Sequence, residues 1–175
     1  MSKGQKWYCG ILIAVGVALG LWCTVAYLRS GSLLTASADG IGAGHFFFLL
    51  LLFIFSRAMP IYLSEDRCLD ISFIGILSAL IILGPQATVA VILLGTPFVV
   101  ECGPKKGDPA RHIFNSDPGK TLFNLSNLIL SVYIPGQLYL LLGGMPGTLR
   151  LLHDLPALLV FSLSSLVLNA VFLIR

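Results

Sequence analysis

The chain has 175 residues, of which 57% are hydrophobic and 11% are charged, and its formal net charge is +3. A soluble domain carries about 25% charged residues, so this composition predicts an integral membrane protein. No lysine- and arginine-rich stretch with interleaved aromatic residues occurs, and we therefore expect no nucleic-acid partner.

The first uncharged apolar run covers residues 7–28. It follows Lys3 and Lys6, and the later Ala36-Ser37-Ala38 resembles the cleavage site of a secretory signal peptide. The run has 22 residues, however, and the apolar core of a signal peptide has about 7–15. Because about 20 helical residues cross a bilayer, we interpret this run as the first membrane helix. Residues 41–56 form the second predicted segment.

The third run, residues 71–100, contains 30 uncharged residues interrupted by Gly84-Pro85. As a single helix it would be about 45 Å long, which exceeds the thickness of the hydrocarbon core. Proline lacks a backbone donor and clashes with the preceding turn. We therefore predict a hairpin of two short helices, 71–83 and 85–100, which either spans the membrane or forms a re-entrant pair. Residues 121–142 and 155–174 complete six predicted membrane segments.

The distribution of basic residues predicts the orientation. With a cytoplasmic N-terminus and the hairpin, nine of the 11 basic residues face the cytoplasm, and only Arg29 and Arg150 lie outside. The nine are Lys3, Lys6, Arg57, Arg67, Lys105, Lys106, Arg111, Lys120 and Arg175. The sequence thus predicts a single all-α domain, residues 1–175, in the plasma membrane with both termini in the cytoplasm and the lipid bilayer as its partner.

Asparagines inside the apolar runs are the candidate ligand-binding residues. Asn124 and Asn127 lie on one helix face, together with Ser131. Asn169 lies within the last segment. Amide side chains in lipid need hydrogen-bond partners, so these residues either join helices or line a cavity for a small ligand. Two further candidates are Gln86 at the Gly-Pro turn and His45, which follows Asp39.

Small residues spaced four apart predict close helix packing. They occur as Ala14 and Ala18 in the first segment and as the glycine pairs Gly16 and Gly20, and Gly40 and Gly44. The same pattern also suits contact with a partner protein or a second copy of the chain. A homo-oligomer or a cytoplasmic partner is therefore a second expectation.

No catalytic constellation is present in the sequence. The cysteines Cys9, Cys23, Cys68 and Cys102 form no CxxC pair, so we expect no metal site and no cofactor. The dipeptide His153-Asp154 stands in a short loop without the further ligands that a metal phosphohydrolase needs. The sequence therefore predicts a protein that is not an enzyme.

Several short motifs follow one another in a characteristic order. They are Met59-Pro60-Ile61-Tyr62, Leu69-Asp70-Ile71-Ser72-Phe73, Ile82-Leu83-Gly84-Pro85, Lys120-Thr121-Leu122-Phe123-Asn124-Leu125-Ser126-Asn127 and Leu168-Asn169-Ala170. This order resembles the membrane-associated sensor region N-terminal to HD-GYP phosphohydrolases and diguanylate cyclases of bacteria, mainly Gram-positive ones. The resemblance covers about two-thirds of the chain and implies a cytoplasmic output domain after Arg175. Neither a GGDEF nor an HD-GYP motif occurs, so no cyclic-dinucleotide activity is implied for the chain itself.

Two functions remain open at this point. The leading hypothesis is a multi-pass sensor module in which a ligand or a membrane state selects one packing of the helices. The alternative is a six-helix substrate-capture subunit similar to those of energy-coupling-factor transporters, in which Ala14 and Ala18 would face a partner subunit.

Overall fold

The computed structural model describes residues 3–30, 42–59, 61–64, 67–69, 71–101, 111–112, 115, 117–148 and 150–173. Helices dominate this part of the chain, which confirms the predicted all-α class. Its six α-helices are α1 (Lys3–Arg29), α2 (Ala43–Ala58), α3 (Ser72–Leu83), α4 (Pro85–Gly95), α5 (Pro118–Leu141) and α6 (Leu151–Leu173).

Two short antiparallel β-hairpins, which the sequence analysis did not predict, connect helices. Strands β1 (Ile61–Ser64) and β2 (Arg67–Leu69) lie between α2 and α3, with Tyr62 opposite Cys68. Strands β3 (Val100–Glu101) and β4 (Arg111–His112) lie between α4 and α5. Most of the charged connector between β3 and β4 lies outside the described residues. Both hairpins lie at the end of the bundle where α2 and α4 end and where α3 and α5 begin.

The predicted break at Gly84-Pro85 is confirmed. Gly84 has φ 85°, a left-handed conformation that glycine adopts without strain. Its N–H donates to the Leu80 carbonyl and ends α3, while its carbonyl accepts bonds from the backbone N–H and from Oγ1 of Thr88 in α4. Pro85 occupies the first turn of α4, where its missing N–H costs nothing.

The predicted segment 85–100 is too long at its C-terminal end. Helix α4 ends at Gly95, and Thr96–Phe98 form a 3-10 turn. Pro97 explains this end, since it has no N–H to donate to the Leu93 carbonyl and its ring crowds that carbonyl, although Thr96 itself keeps helical dihedral angles of φ −53° and ψ −40°. The first helix also begins earlier than predicted, at Lys3, and the last begins at Leu151 rather than at 155.

Helix α4 lies at the centre of the bundle and packs against α1, α2, α3 and α5. Its residues from Ala87 to Ile92 are all buried. A helix that is apolar on every side requires such an enclosed position. Gly95 lies against the ring of Phe53 in α2, and Gly136 of α5 lies against Pro85. These small residues let the neighbouring helices approach α4 closely.

Helix α5 packs against both α1 and α6, and α6 packs chiefly against α5. Two helical stretches, Gly4–Arg29 and Leu152–Phe172, are long and apolar enough to cross a membrane. Their outward faces carry large apolar side chains, including Trp22, Leu163 and Leu166, each more than half exposed. Such extended apolar surface needs a non-aqueous neighbour.

Candidate ligand-binding cleft

A cleft of about 700 Å³ lies between α3, α5 and α6, with Arg57 from the end of α2 at its edge. Polar side chains line it from all four helices, namely Arg57, Ser72, Asn124, Asn127, Ser131, Ser162, Ser165 and Asn169. The remaining lining side chains are apolar: Phe73, Ile76, Leu128, Val132, Leu163 and Leu166. The volume falls within the range of about 300–1,000 Å³ that is usual for small-molecule sites.

A chain of three side chains connects α5 with α6 across this cleft. Nδ2 of Asn127 donates to Oδ1 of Asn169 at 2.7 Å, and Oγ of Ser131 donates to Oδ1 of Asn127 at 3.1 Å. Asn127 and Ser131 are buried, whereas Asn169 is exposed. The chain orients the Asn127 amide, because its oxygen is an acceptor and its nitrogen a donor in the same network.

Other polar groups of the cleft have no partner among the described residues. Ser165 is only 6% exposed, and no hydrogen bond engages its hydroxyl within the described part of the chain. The exposed amide of Asn124 likewise makes no hydrogen bond there. The –NH₂ of Asn169 retains both its donors, because only the oxygen of that amide is used. These groups can therefore form hydrogen bonds with a ligand or with water in the cleft.

Arg57 and Ser72 bring the ends of two further helices to the cleft. Arg57 lies in the last turn of α2, and Ser72 is the first residue of α3. Each takes part in another interaction within the protein. A guanidinium has five N–H donors, so Arg57 can keep that interaction and still donate to a ligand. Arg57 is the one charged side chain among the described lining residues.

The structure brings three of the five predicted ligand-binding residues together. Asn124, Asn127 and Asn169 all line the cleft. Gln86 is exposed in the first turn of α4 and His45 is exposed in the first turn of α2, and neither lines the cleft. Gln86 follows the Gly84 turn, where a polar side chain faces outward. Asp39, with which His45 was paired, lies outside the described residues.

The predicted helix-packing glycines separate into two groups. A Cβ on Gly16 would lie 2.6 Å from Cα of Ser126 in α5, and a Cβ on Gly20 would lie 2.9 Å from Cδ1 of Ile129. These two glycines therefore pack α1 against α5. A Cβ on Gly44 would meet no atom within 4 Å, so no packing role follows for it. Gly40 lies outside the described residues.

Sequence reasoning missed Arg57 and Ser72 as site residues. Arg57 was used only as a positive charge that orients the chain, and Ser72 only as part of a motif. One signal was available: an arginine directly after an apolar run and a serine at the start of the next one. Their convergence depends on how α2 and α3 pack, which residue spacing does not reveal.

The cleft lacks the groups of common catalytic sites. Within the described part of the chain, no lining side chain is a carboxylate, and no three His, Cys, Asp or Glu residues lie close enough to hold a metal ion. His153 and Asp154 form a local contact of 3.0 Å, and Oδ2 of Asp154 accepts the backbone N–H of Arg150 at 2.8 Å. That carboxylate caps the start of α6, a structural use of the dipeptide.

No protein-family model, no curated protein and no solved structure matches this chain. The resemblance to sensor regions of HD-GYP phosphohydrolases and diguanylate cyclases therefore stays a prediction from the motifs.

Proposed function

We propose that the protein is a non-catalytic, multi-pass sensor module of the plasma membrane that feeds a cytoplasmic output of the cyclic-di-GMP type. The observation that carries this proposal is the polar cleft shared by α5 and α6, the last described helix. Within the described part of the chain, the side-chain bond between Asn127 and Asn169 joins the two helices across it. The motif resemblance supports the kind of output, and the cleft supports the sensing role.

The mechanism is a shift between two packings of α6. A ligand whose polar groups bind the amides of Asn127 and Asn169 competes with the bond between them. If it binds the two packings with different affinity, occupancy changes the position of α6 relative to α5. Because α6 packs chiefly on α5, few other contacts oppose this motion.

Helix lengths support a membrane location with an internal hairpin. Two helices are long enough to cross, whereas α3 and α4 have 12 and 11 residues. At 1.5 Å per residue these correspond to about 18 and 16 Å, well below the hydrocarbon thickness of about 30 Å. Four helices enclose α4, which supplies the protein cover that such short helices need, and the turn at Gly84 lies against Pro146 in the loop that joins α5 to α6. The bias of basic residues supports cytoplasmic termini.

Distances between spin labels on α3 and α6 test the sensing mechanism. Ile74 and Val167 are both more than half exposed and do not line the cleft. They are replaced by cysteine in a chain whose native cysteines are alanine, labelled, and measured by electron paramagnetic resonance in nanodiscs. The conditions are phosphatidylcholine alone, phosphatidylcholine with phosphatidylglycerol, and incubation with a bacterial small-molecule extract. The proposal predicts two distance populations whose ratio changes with the condition.

A second label pair serves as the control. Val15 in α1 and Leu94 in α4 lie on two helices that pack against each other, and neither residue lines the cleft. Their distance should stay constant. One unchanged distance for the pair on α3 and α6 under all conditions would contradict the sensor.

The alternative function is the substrate-capture subunit of an energy-coupling-factor type transporter. One observation favours it: Ala14 and Ala18 are exposed on α1 and remain available to a partner subunit. Tight binding of a small solute by the purified chain in detergent is expected for a capture subunit. The coding sequence after codon 175 separates the two functions, because a sensor requires an output domain in frame or in a neighbouring gene.

A further inference from the structure

The two sides of the cleft differ in chemistry. Apolar side chains from three helices form one wall, for example Ile76, Val132 and Leu163. The strongest polar groups, Arg57 and Asn169, come from the end of the bundle where α2 and α6 finish. From Asn124 to Val132, both of which line the cleft, the α5 axis advances about 12 Å. The charged and amide groups therefore cluster at one end of the cleft, its polar end, while Ser131 and Ser162 lie farther along it among the apolar side chains.

The cleft is also open along the flank of α6. Leu163 is 63% exposed and Leu166 is 70% exposed, although both line the cleft. If α6 crosses the membrane, this flank faces lipid tails. A ligand dissolved in the bilayer can then enter sideways without crossing water.

The polar end offers several hydrogen-bond donors, beside amide and hydroxyl oxygens that can also accept. Arg57 supplies a positive charge, and Asn169 supplies two amide N–H groups that the protein does not use. The hydroxyl of Ser165, a residue that is 6% exposed, is a further donor. With no carboxylate among the described lining residues, this set matches an acceptor-rich anion and disfavours a cation.

We propose that the cleft binds an anionic amphiphile with one acyl chain, of which a long-chain carboxylate is the simplest case. Its acid group accepts hydrogen bonds from Arg57 and Asn169, and its chain lies along the apolar wall formed by α3, α5 and α6. This inference rests on the proposed function for the membrane orientation of α6. It adds the chemical class of the ligand that the sensor detects.

Binding of a spin-labelled stearate in phosphatidylcholine nanodiscs tests the ligand class. The nitroxide sits near the chain end, and the immobilised fraction of its spectrum reports binding. Unlabelled stearate should displace the label, octadecanol should be at least about tenfold weaker because it lacks the charge, and acetate should not compete because it lacks the chain. These comparisons use the unmodified protein.

Two variants and one control locate the site. Arg57→Gln should weaken stearate binding at least about tenfold, and Ser165→Val should weaken it because it removes a hydroxyl donor. Lys120→Gln removes an exposed charge in the first turn of α5 that does not line the cleft, and it should bind as the native chain does. Octadecanol competing as well as stearate, or acetate competing at all, overturns the proposal even if a variant fails to fold.

The failure of the ligand class and the failure of the sensor have different signatures. If stearate does not bind but the label distances between α3 and α6 still respond to lipid composition or to the extract, the sensor stands and the ligand class is wrong. If stearate binds through Arg57 but the distances do not change, the ligand class stands and the sensor is wrong.

Discussion

Replacing Gly16 by alanine tests the packing of α1 against α5. A Cβ at this position would contact Cβ of Ser126 and lie 2.6 Å from its Cα and 2.8 Å from its Oγ. Because one of these atoms belongs to the backbone, a rotamer change cannot relieve the conflict and the helices must separate. Separation also weakens the bond of 3.3 Å from Oγ of Ser126 to the Ile13 carbonyl.

The expected change in the free energy of unfolding combines two destabilising effects with one stabilising effect. Overpacking costs about 1–3 kcal/mol, and an interhelical hydrogen bond in a membrane protein contributes about 0.6 kcal/mol. Alanine is favoured over glycine inside a helix by about 1 kcal/mol. We therefore expect Gly16→Ala to lower the free energy of unfolding by about 0.6–2.6 kcal/mol.

Gly10→Ala is the matched control in the same helix. A Cβ on Gly10 meets no atom within 4 Å, so only the gain in helix propensity remains, and stability should rise by up to about 1 kcal/mol. Unfolding is followed by circular dichroism while SDS is titrated into mixed micelles. If Gly16→Ala unfolds at the same SDS fraction as Gly10→Ala, the reasoning about the contact between α1 and α5 is refuted. Adding Ser126→Gly to Gly16→Ala should recover part of the loss, because it removes two of the three conflicting atoms.

Three further results are expected. Gly84→Ala should lower the free energy of unfolding by about 1–2 kcal/mol in the same SDS titration, because alanine is strained at φ 85°. Unchanged stability would contradict the backbone conformation of the turn between α3 and α4. Asn127→Leu and Asn169→Leu should each lower the free energy of unfolding by about 0.6–1.7 kcal/mol, the Asn127 variant more because it also loses the bond from Ser131; the double variant should lose less than the two single losses together, since both remove the bond between Asn127 and Asn169. Single cysteines at Lys120 and His45 should react with a membrane-impermeant maleimide from opposite faces of oriented vesicles; labelling from one face would contradict the topology.

The sequence predicted the helices well because their signals are local. The uncharged run in residues 71–100 was too long for one crossing, and Gly84-Pro85 is the one place in that run where a glycine directly precedes a proline. The same logic, applied to Pro97, could have ended α4 at Gly95. The β-hairpins gave no comparable signal, because their strands are two to four residues long and lie among charged and turn-forming residues.

The candidate site was predicted only in part, for a physical reason. Asn124 and Asn127 share a helix face, so periodicity placed them together, and Asn169 was conspicuous as an amide in an apolar helix. Which helices meet at that face depends on tertiary packing. The sequence therefore could not place Arg57 beside them, nor exclude Gln86 and His45, whose polar character alone had suggested a role.

The most direct test of the central claim combines ligand binding with the position of α6. Stearate is titrated into nanodiscs that hold the chain labelled at positions 74 and 167, and the ratio of the two distance populations is measured alongside the immobilised fraction of spin-labelled stearate. The account predicts that the ratio changes in proportion to occupancy and that Arg57→Gln shifts both curves to higher stearate concentration. Occupancy that rises to saturation while the distances between α3 and α6 stay fixed would contradict it.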